Sequence, residues 1–279
     1  MKRIIQGIGL ISLICFSFMY TDKVMEVINE KDSLMIEIVS NKDKYKIDFV
    51  EADIDKDTII PGINGKEVNI DDSYQKMKEI GIFREDLLIF YTTYPKILLK
   101  NNYDKYIISG NNSKREVSLI FIVNNDNNIK ELIDIINKYN IDVNFFIDYD
   151  ILNKNNNIIH NNIELHSYGS NGVYTHENIV LSRNIIKSKT DNKTNSCLTL
   201  IKNKDVLNTC SKEKLFTIIP TINSNNNPYN DVKNNLKNGS IIKLELNNQT
   251  IKELPSIIDF INSKGIDIVY LSDLLSEEL

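Results

Sequence analysis

The chain has 279 residues, of which 42% are hydrophobic and 25% are charged, and its formal net charge is −5. This length and composition predict a folded globular protein with one large domain and a smaller one, and they exclude a largely disordered chain. The acidic balance gives no reason to expect a nucleic acid or an anionic membrane surface as a partner.

The amino terminus carries a membrane-targeting pattern. Lys2 and Arg3 precede residues 4–20, an uncharged and mostly apolar run that would form about 26 Å of helix, close to the length that crosses a bilayer. The positive flank predicts that the amino end stays inside. Because no pair of small residues marks a cleavage site, we expect an uncleaved signal-anchor over residues 1–24. The protein would then be single-pass in the cell membrane with the bulk of the chain extracytoplasmic; secretion after cleavage is the alternative.

Residues 25–112 predict a small α+β module. Turn signals at residues 61–65 separate its elements, and a short helix is expected over residues 71–80. The predicted strands are 34–39, 45–50, 87–91 and 106–108. No catalytic residue types collect here, so the module is expected to serve packing, spacing or partner binding.

Residues 113–279 alternate strands with helices. The opening run, residues 117–123, is continuously apolar and typical of a strand buried on both faces. A helix from residue 129, capped by Asn127 or Asn128, and a strand at 143–147 complete a parallel βαβ unit. The later predicted strands are 162–166, 197–201, 215–219, 241–246 and 266–270, and the later predicted helices are 176–187, 231–237 and 250–263. Seven strands in this alternation predict a small, incomplete β/α barrel, with reactive groups at the carboxyl ends of the strands.

Three cysteines leave one candidate disulfide. Cys15 falls inside the expected anchor, so Cys197 and Cys210 form the remaining pair. The sequence does not decide between a bridge and two unpaired buried thiols.

Five framework segments carry a family resemblance. They are residues 117–121, 138–147, 162–170, 239–246 and 254–275. The first, Val-Ser-Leu-Ile-Phe, is similar to a family's Val-Ala-Leu-Thr-Phe, and the fourth, Gly-Ser-Ile-Ile-Lys-Leu-Glu-Leu, is similar to its Gly-Ser-Ile-Ile-Leu-Leu-His-Asp. In this order the segments resemble the polysaccharide deacetylase domain, also called the NodB-homology or carbohydrate esterase family four domain. The resemblance implies an α/β fold: a distorted seven-stranded, NodB-like β/α barrel, here preceded by the small α+β module and the membrane anchor helix.

The resemblance also implies a chemistry whose residues are mostly replaced. The family removes acetyl groups from glycans with a divalent metal held by one Asp and two His, a second Asp as base and a late His as acid. At the matching positions this chain has Ile122 for the base, Val123, His166 and Ser170 for the metal ligands, and Glu245 for the acid.

A catalytic zinc needs three protein ligands, and loss of the base costs a further factor of roughly 10²–10⁴. We therefore expect no catalytic residue and no cofactor. Two aliphatic side chains at the end of the opening strand would instead plug the cleft, each gaining about 1.5–3 kcal/mol from burial.

A rebuilt metal site is the alternative. Asp126, His166 and Glu245 are the side chains that would form it, around one divalent metal such as zinc. The simpler interpretation is that polar residues after strands serve loop polarity and helix capping.

Three functions are compatible with these patterns. We expect a membrane-anchored, catalytically inactive protein that binds a cell-wall glycan or an extracytoplasmic protein partner and meets the membrane through residues 4–20. Tyr149, Tyr168 and Tyr174 are candidate platforms for sugar rings, although half-buried tyrosines commonly serve packing. The alternatives are an active metal-dependent peptidoglycan N-deacetylase, a hydrolase of carbon–nitrogen bonds, and a structural role with residues 25–112 as the working surface.

Overall fold

The computed structural model describes residues 16–17, 32–125, 127–154, 161–190 and 196–279. The predicted anchor at residues 4–20 lies outside these ranges, apart from Phe16 and Ser17. Among the described residues, no helix combines the length and apolar character needed to cross a bilayer. The anchor stays a prediction from the sequence.

The described helices and strands fall into two units, residues 1–49 with 64–94 and residues 50–63 with 95–279. The helices are α1 (Ser33–Asn41), α2 (Ile70–Lys78), α3 (Ile129–Tyr139), α4 (Tyr149–Lys154), α5 (His176–Lys189), α6 (Lys204–Lys212), α7 (Pro228–Asn235), α8 (Asn248–Ser263) and α9 (Leu271–Leu274). The strands are β1 (Asp53–Asp55), β2 (Thr58–Ile60), β3 (Gly65–Val68), β4 (Phe90–Thr93), β5 (Tyr106–Ile107), β6 (Glu116–Val123), β7 (Val143–Ile147), β8 (Ile163–Ser167), β9 (Ser196–Leu198), β10 (Phe216–Ile218), β11 (Ile222–Ser224), β12 (Ile241–Leu244) and β13 (Asp267–Ile268).

The smaller unit opens with a helix where a strand was predicted. The Asp32 carboxylate caps α1 by accepting the Leu34 N–H at 2.8 Å, and it also accepts the Tyr74 hydroxyl of α2 at 3.1 Å. Leu34, Met35 and Ile38 are buried against α2, which is helical spacing, whereas Ile36 is 56% exposed. The strand predicted at 34–39 is wrong because helix packing and the cap override a local alternation. The strand predicted at 45–50 is also wrong, since it forms only isolated bridges.

The larger unit contains two sheets. One runs β11-β12-β6-β7-β8 with every pair parallel, and β13 also pairs with β6 in parallel. The other runs β1-β2-β5-β10-β9, parallel except for the hairpin of β1 and β2. The α/β class is confirmed. A single closed seven-stranded barrel is not, because β8 and β9 have no backbone pairing among the described residues.

Tyr174 links β8 to β9 where the backbone does not. Its buried hydroxyl accepts the Leu198 N–H at 2.9 Å and lies 3.2 Å from the Ser167 carbonyl, to which it can donate. Burial raises the pKa of this hydroxyl well above its ordinary range, so the phenol stays protonated. One side chain thus supplies the hydrogen bonding that a strand pair would otherwise provide.

The opening strand β6 is buried on both faces, as the apolar run predicted. Leu119, Phe121 and Val123 face the core under the helices, while Ile120 and Ile122 face an inner core shared with both sheets. This alternation decides which side chains of the strand face the inner core.

The larger unit includes segments that precede residue 113. β1 and β2 lie in the larger unit because β2 pairs with β5, and β5 with β10. Residues 50–63 and 95–112 are thereby joined to residues 113–279. Such pairing joins segments distant in the chain, and no local pattern encodes it.

Cys197 and Cys210 form a disulfide, which settles the question left open by the sequence. The bond ties β9 to α6, a helix that the sequence did not predict. Both cysteines are fully buried.

Candidate functional site at the strand ends

The two aliphatic residues that replace the family's Asp pair face different cores. Ile122 is half-buried and packs toward the inner core, whereas Val123 is fully buried in the core under the helices. Only Ile122 therefore covers the inner side of the sheet, and the expectation that both residues plug one cleft does not hold for Val123. A strand's period of two places neighbours on opposite faces.

His166 belongs to a buried pair. Its ring stacks on Phe146 with centroids 4.6 Å apart, and its Nε2 lies 3.1 Å from Oε2 of Glu164. Oε2 also accepts the Ser272 N–H. Burial alone would raise the pKa of the Glu164 carboxyl, but the charge and hydrogen bond of His166 and the contacts with Ser272 outweigh it, and the pKa lies below its ordinary value. An ionised carboxylate only accepts hydrogen bonds, so His166 donates through Nε2–H.

The residues present do not fit a catalytic metal. His166 keeps one buried nitrogen, Nδ1, without a partner among the described residues. Val123 has no ligand atom, and Ser170 is exposed in a turn that it forms with Val173. Within the described part of the chain, no three His, Cys, Asp or Glu side chains lie close enough to share an ion. Asp126, from the alternative site, lies outside the described residues.

Other polar residues at the strand ends support loops, as the capping interpretation predicted. The buried Asp148 carboxylate accepts the N–H groups of Asp150 at 2.9 Å and Asn171 at 2.6 Å. Asn125 accepts the N–H of Asn127 in the same way.

A buried lysine that the sequence analysis passed over lies at the end of β12. The Lys243 side chain is only 2% exposed, and its Nζ lies 2.6 Å from Oε2 of Glu245 and 2.9 Å from Oδ1 of Asn225. Lys243 pairs in register with Ile120 and shares the inner face of the sheet with Ile241. The signal in the sequence was a single lysine within the apolar strand Ile-Ile-Lys-Leu. An ammonium without a partner is too costly to bury, so this pattern predicts a polar partner close to the lysine.

Tyr168 completes this group of side chains. It follows β8, is half-buried and packs against the inner core. Burial raises the pKa of its hydroxyl, and the negative charge of Glu245 raises the pKa further. The Tyr174 hydroxyl is already hydrogen-bonded between β8 and β9, so Tyr168 is the better-placed candidate platform for a sugar.

The strand-end cluster thus consists of Ile122, Tyr168, Asn225, Lys243 and Glu245. It offers one ammonium, one carboxylate, one amide and one phenol beside an apolar residue. These groups can hold a polar ligand through charge and hydrogen bonds. They supply no metal-bound water for hydrolysis.

No family model matches the sequence. A curated relative, the uncharacterized protein YlxY of Bacillus subtilis (strain 168), is 38% identical over 95 residues, which are 34% of this chain and 29% of YlxY. The match therefore spans less than a third of that relative's length.

Solved structures share the fold. BA3943 of Bacillus anthracis, a CE4 family pseudoenzyme, is similar with a TM-score of 0.67 and 20% identity, over 89% of this chain and 96% of BA3943. A BA3943 mutant with restored enzymatic activity is similar with a TM-score of 0.66. The Bc1960 peptidoglycan N-acetylglucosamine deacetylase gives 0.53 at 17% identity, over 62% of this chain and 95% of Bc1960.

The resemblance seen in the sequence is confirmed at the level of the fold. The chain folds like the CE4 polysaccharide deacetylases, and the residues at the positions of their metal ligands are mostly replaced.

Proposed function

We propose that this protein is a catalytically inactive, deacetylase-like protein that binds a cell-wall glycan through its strand-end cluster. One observation carries the proposal: at the family's metal positions, Val123 is packed in the core under the helices and His166 is engaged by Glu164. The likeness in fold to BA3943, a pseudoenzyme, supports the same conclusion.

Inactivity follows from the chemistry that these replacements remove. Hydrolysis of an acetamide in this fold requires a metal to activate water and to stabilise the charge that develops. Loss of a general base costs a further factor of roughly 10²–10⁴. Ile122, at the base position, cannot take a proton.

Glycan binding is the function that the remaining groups serve best. Tyr168 offers an aromatic face with a polar end. Lys243 and Glu245 offer hydrogen bonds to hydroxyl and carbonyl groups. A protein partner outside the cytoplasm is the other occupant compatible with these groups.

An extracytoplasmic location completes the proposal. The apolar run at residues 4–20 behind two cations supports a membrane anchor. The buried disulfide of Cys197 and Cys210 supports an oxidising compartment, since such bonds are rare in the cytosol.

Two assays on the purified protein test the function. We expect no acetate release from N-acetylglucosamine oligomers or peptidoglycan above the blank, together with calorimetric binding of the oligomers that weakens in Tyr168→Ala. A matched control is Tyr94→Ala, because Tyr94 is an exposed tyrosine of the smaller unit and does not belong to the cluster. Acetate release that a chelator abolishes would instead establish an active metal-dependent deacetylase with altered ligands.

A further inference from the structure

Lys243 has a function that folding alone does not require. A lysine this deeply buried normally needs a counterion that is buried with it. Its counterion here is on the surface: the Glu245 side chain is 48% exposed, against 2% for Lys243. The second partner, Asn225, is also exposed. The ammonium is therefore buried but covered by two exposed groups, Glu245 and Asn225.

Neither partner is held in place by the core. Glu245 comes directly after β12, and its N–H is bonded to the carbonyl of Ser224. This bond fixes the backbone of Glu245, and the carboxylate pairs with the Lys243 ammonium. Rotation of the Glu245 side chain would expose the ammonium without moving β12.

We propose that the Lys243 ammonium is a carboxylate-binding site, that Glu245 occupies it as an internal substitute, and that the ligand of the strand-end cluster is an acidic sugar. This inference rests on the proposed function and narrows its ligand class. The Glu245 carboxylate shows the chemistry that the site accepts, with an oxygen 2.6 Å from Nζ. The sugar's carboxylate would take that position, and the ring would meet Tyr168.

The surroundings of the Lys243 ammonium favour one negative charge at a time. The ammonium carries three N–H donors; Glu245 and Asn225 take two of them. A second carboxylate beside an ionised Glu245 would be repelled, so ligand binding and the internal pair compete. This competition predicts that removing the Glu245 charge strengthens binding of an acidic ligand.

Calorimetry with D-glucuronate and D-glucose tests the inference, because the two probes differ in the carboxylate. We expect wild-type protein to prefer glucuronate. Glu245→Ala should raise the glucuronate affinity by about tenfold or more, because the ligand then no longer competes with the Glu245 carboxylate for a charge-assisted hydrogen bond to Lys243. Glucose affinity should not rise, because glucose has no carboxylate that competes with Glu245. Glu278→Ala is the matched control, because it removes one exposed negative charge distant in sequence from Glu245.

Two further variants separate recognition from folding. Lys243→Met, with a similar side-chain volume, should abolish the preference for glucuronate, whereas Lys243→Arg should keep it. Circular dichroism spectra of all variants establish that the fold is retained, and if Lys243→Met fails to fold, the Glu245→Ala comparison decides alone.

The results distinguish the two proposals. Equal affinities for glucuronate and glucose in both wild-type and Glu245→Ala, with N-acetylglucosamine oligomers still bound, would overturn the carboxylate site and leave glycan binding standing. Absence of binding by all three probes would overturn both.

Discussion

Two ion pairs of the same design lie on two strands of one sheet, and they differ in what surrounds their carboxylates. Glu164 and His166 lie two residues apart on β8, and Lys243 and Glu245 lie two residues apart at the end of β12, so each pair shares one face of its strand. In the first pair both side chains are buried, at 10% and 2% exposure. In the second only the cation is buried, and the carboxylate is half in water.

We infer from this difference that one sheet can use such a pair either for stability or for binding. Both side chains of the His166 pair are buried, and Glu164 also accepts the Ser272 N–H, so we expect this pair to contribute mainly to stability. The Lys243 pair is open on one side, so its partner can be replaced by a ligand. The predictions below test whether the two pairs behave as differently as their burial implies.

The largest loss of stability should follow removal of the buried pair of Glu164 and His166. His166→Ala removes the ring stacked on Phe146 and leaves the buried Glu164 carboxylate without its hydrogen-bond donor on that ring. We expect the free energy of unfolding to fall by about 3–5 kcal/mol, the usual cost of breaking a buried pair on one side. Urea denaturation measures this. A loss below about 1 kcal/mol would show that the pair contributes little to stability.

A smaller loss is expected on acidification. The pKa of Glu164 is lower in the folded protein than its ordinary value, so its contribution is present above the ordinary value and is lost as pH falls through the folded pKa. Wild-type stability should therefore decline below about pH 4.5, the ordinary glutamate range, more steeply than that of Glu164→Gln. Urea unfolding at several pH values between 5 and 3 gives both slopes. Parallel slopes would contradict the assignment.

The link between β8 and β9 should contribute less than the buried pair. Tyr174→Phe keeps the ring and removes the hydroxyl, which leaves the buried Leu198 N–H without its acceptor. We expect a loss of about 1–3 kcal/mol in unfolding free energy. Faster amide exchange at Leu198 would place the effect at this link, whereas unchanged exchange would show that the two strands hold together without it.

The smallest loss of stability is expected for a change at Glu245, the exposed partner of Lys243. Glu245→Gln keeps an oxygen that can accept a hydrogen bond from the buried Lys243 ammonium and removes a charge that is half in water, so we expect a loss of about 1 kcal/mol. A loss in thermal unfolding comparable to that of His166→Ala would contradict the comparison, because it would make both pairs structural.

The sequence predicted the framework better than the site. The strand at β6, the helix from Ile129 and the helix predicted at 176–187 follow local rules of burial and periodicity, and all three are confirmed. Asn128 occupies the cap position of α3, but its side chain makes no capping hydrogen bond. In α1, packing against α2 overrode the strand pattern.

The site depended on contacts that sequence reasoning does not supply. Glu164 and Glu245 each lie two residues in sequence from their partners, His166 and Lys243. How deeply each pair is buried depends on the strands and loops around it. Lys243 is not one of the family's site positions, so the resemblance did not mark it as a site residue. The pairing of β2 with β5 likewise joins segments about fifty residues apart, which no local pattern reveals.

The central claim is that the fold persists while its metal site is lost. Titration of the full protein with Zn²⁺, followed by calorimetry and by elemental analysis after dialysis, tests this directly. We predict no stoichiometric zinc and identical traces for wild type and Asp126→Ala. One tightly held equivalent per chain that disappears in both Asp126→Ala and Glu245→Ala would contradict the account and assign the rebuilt site.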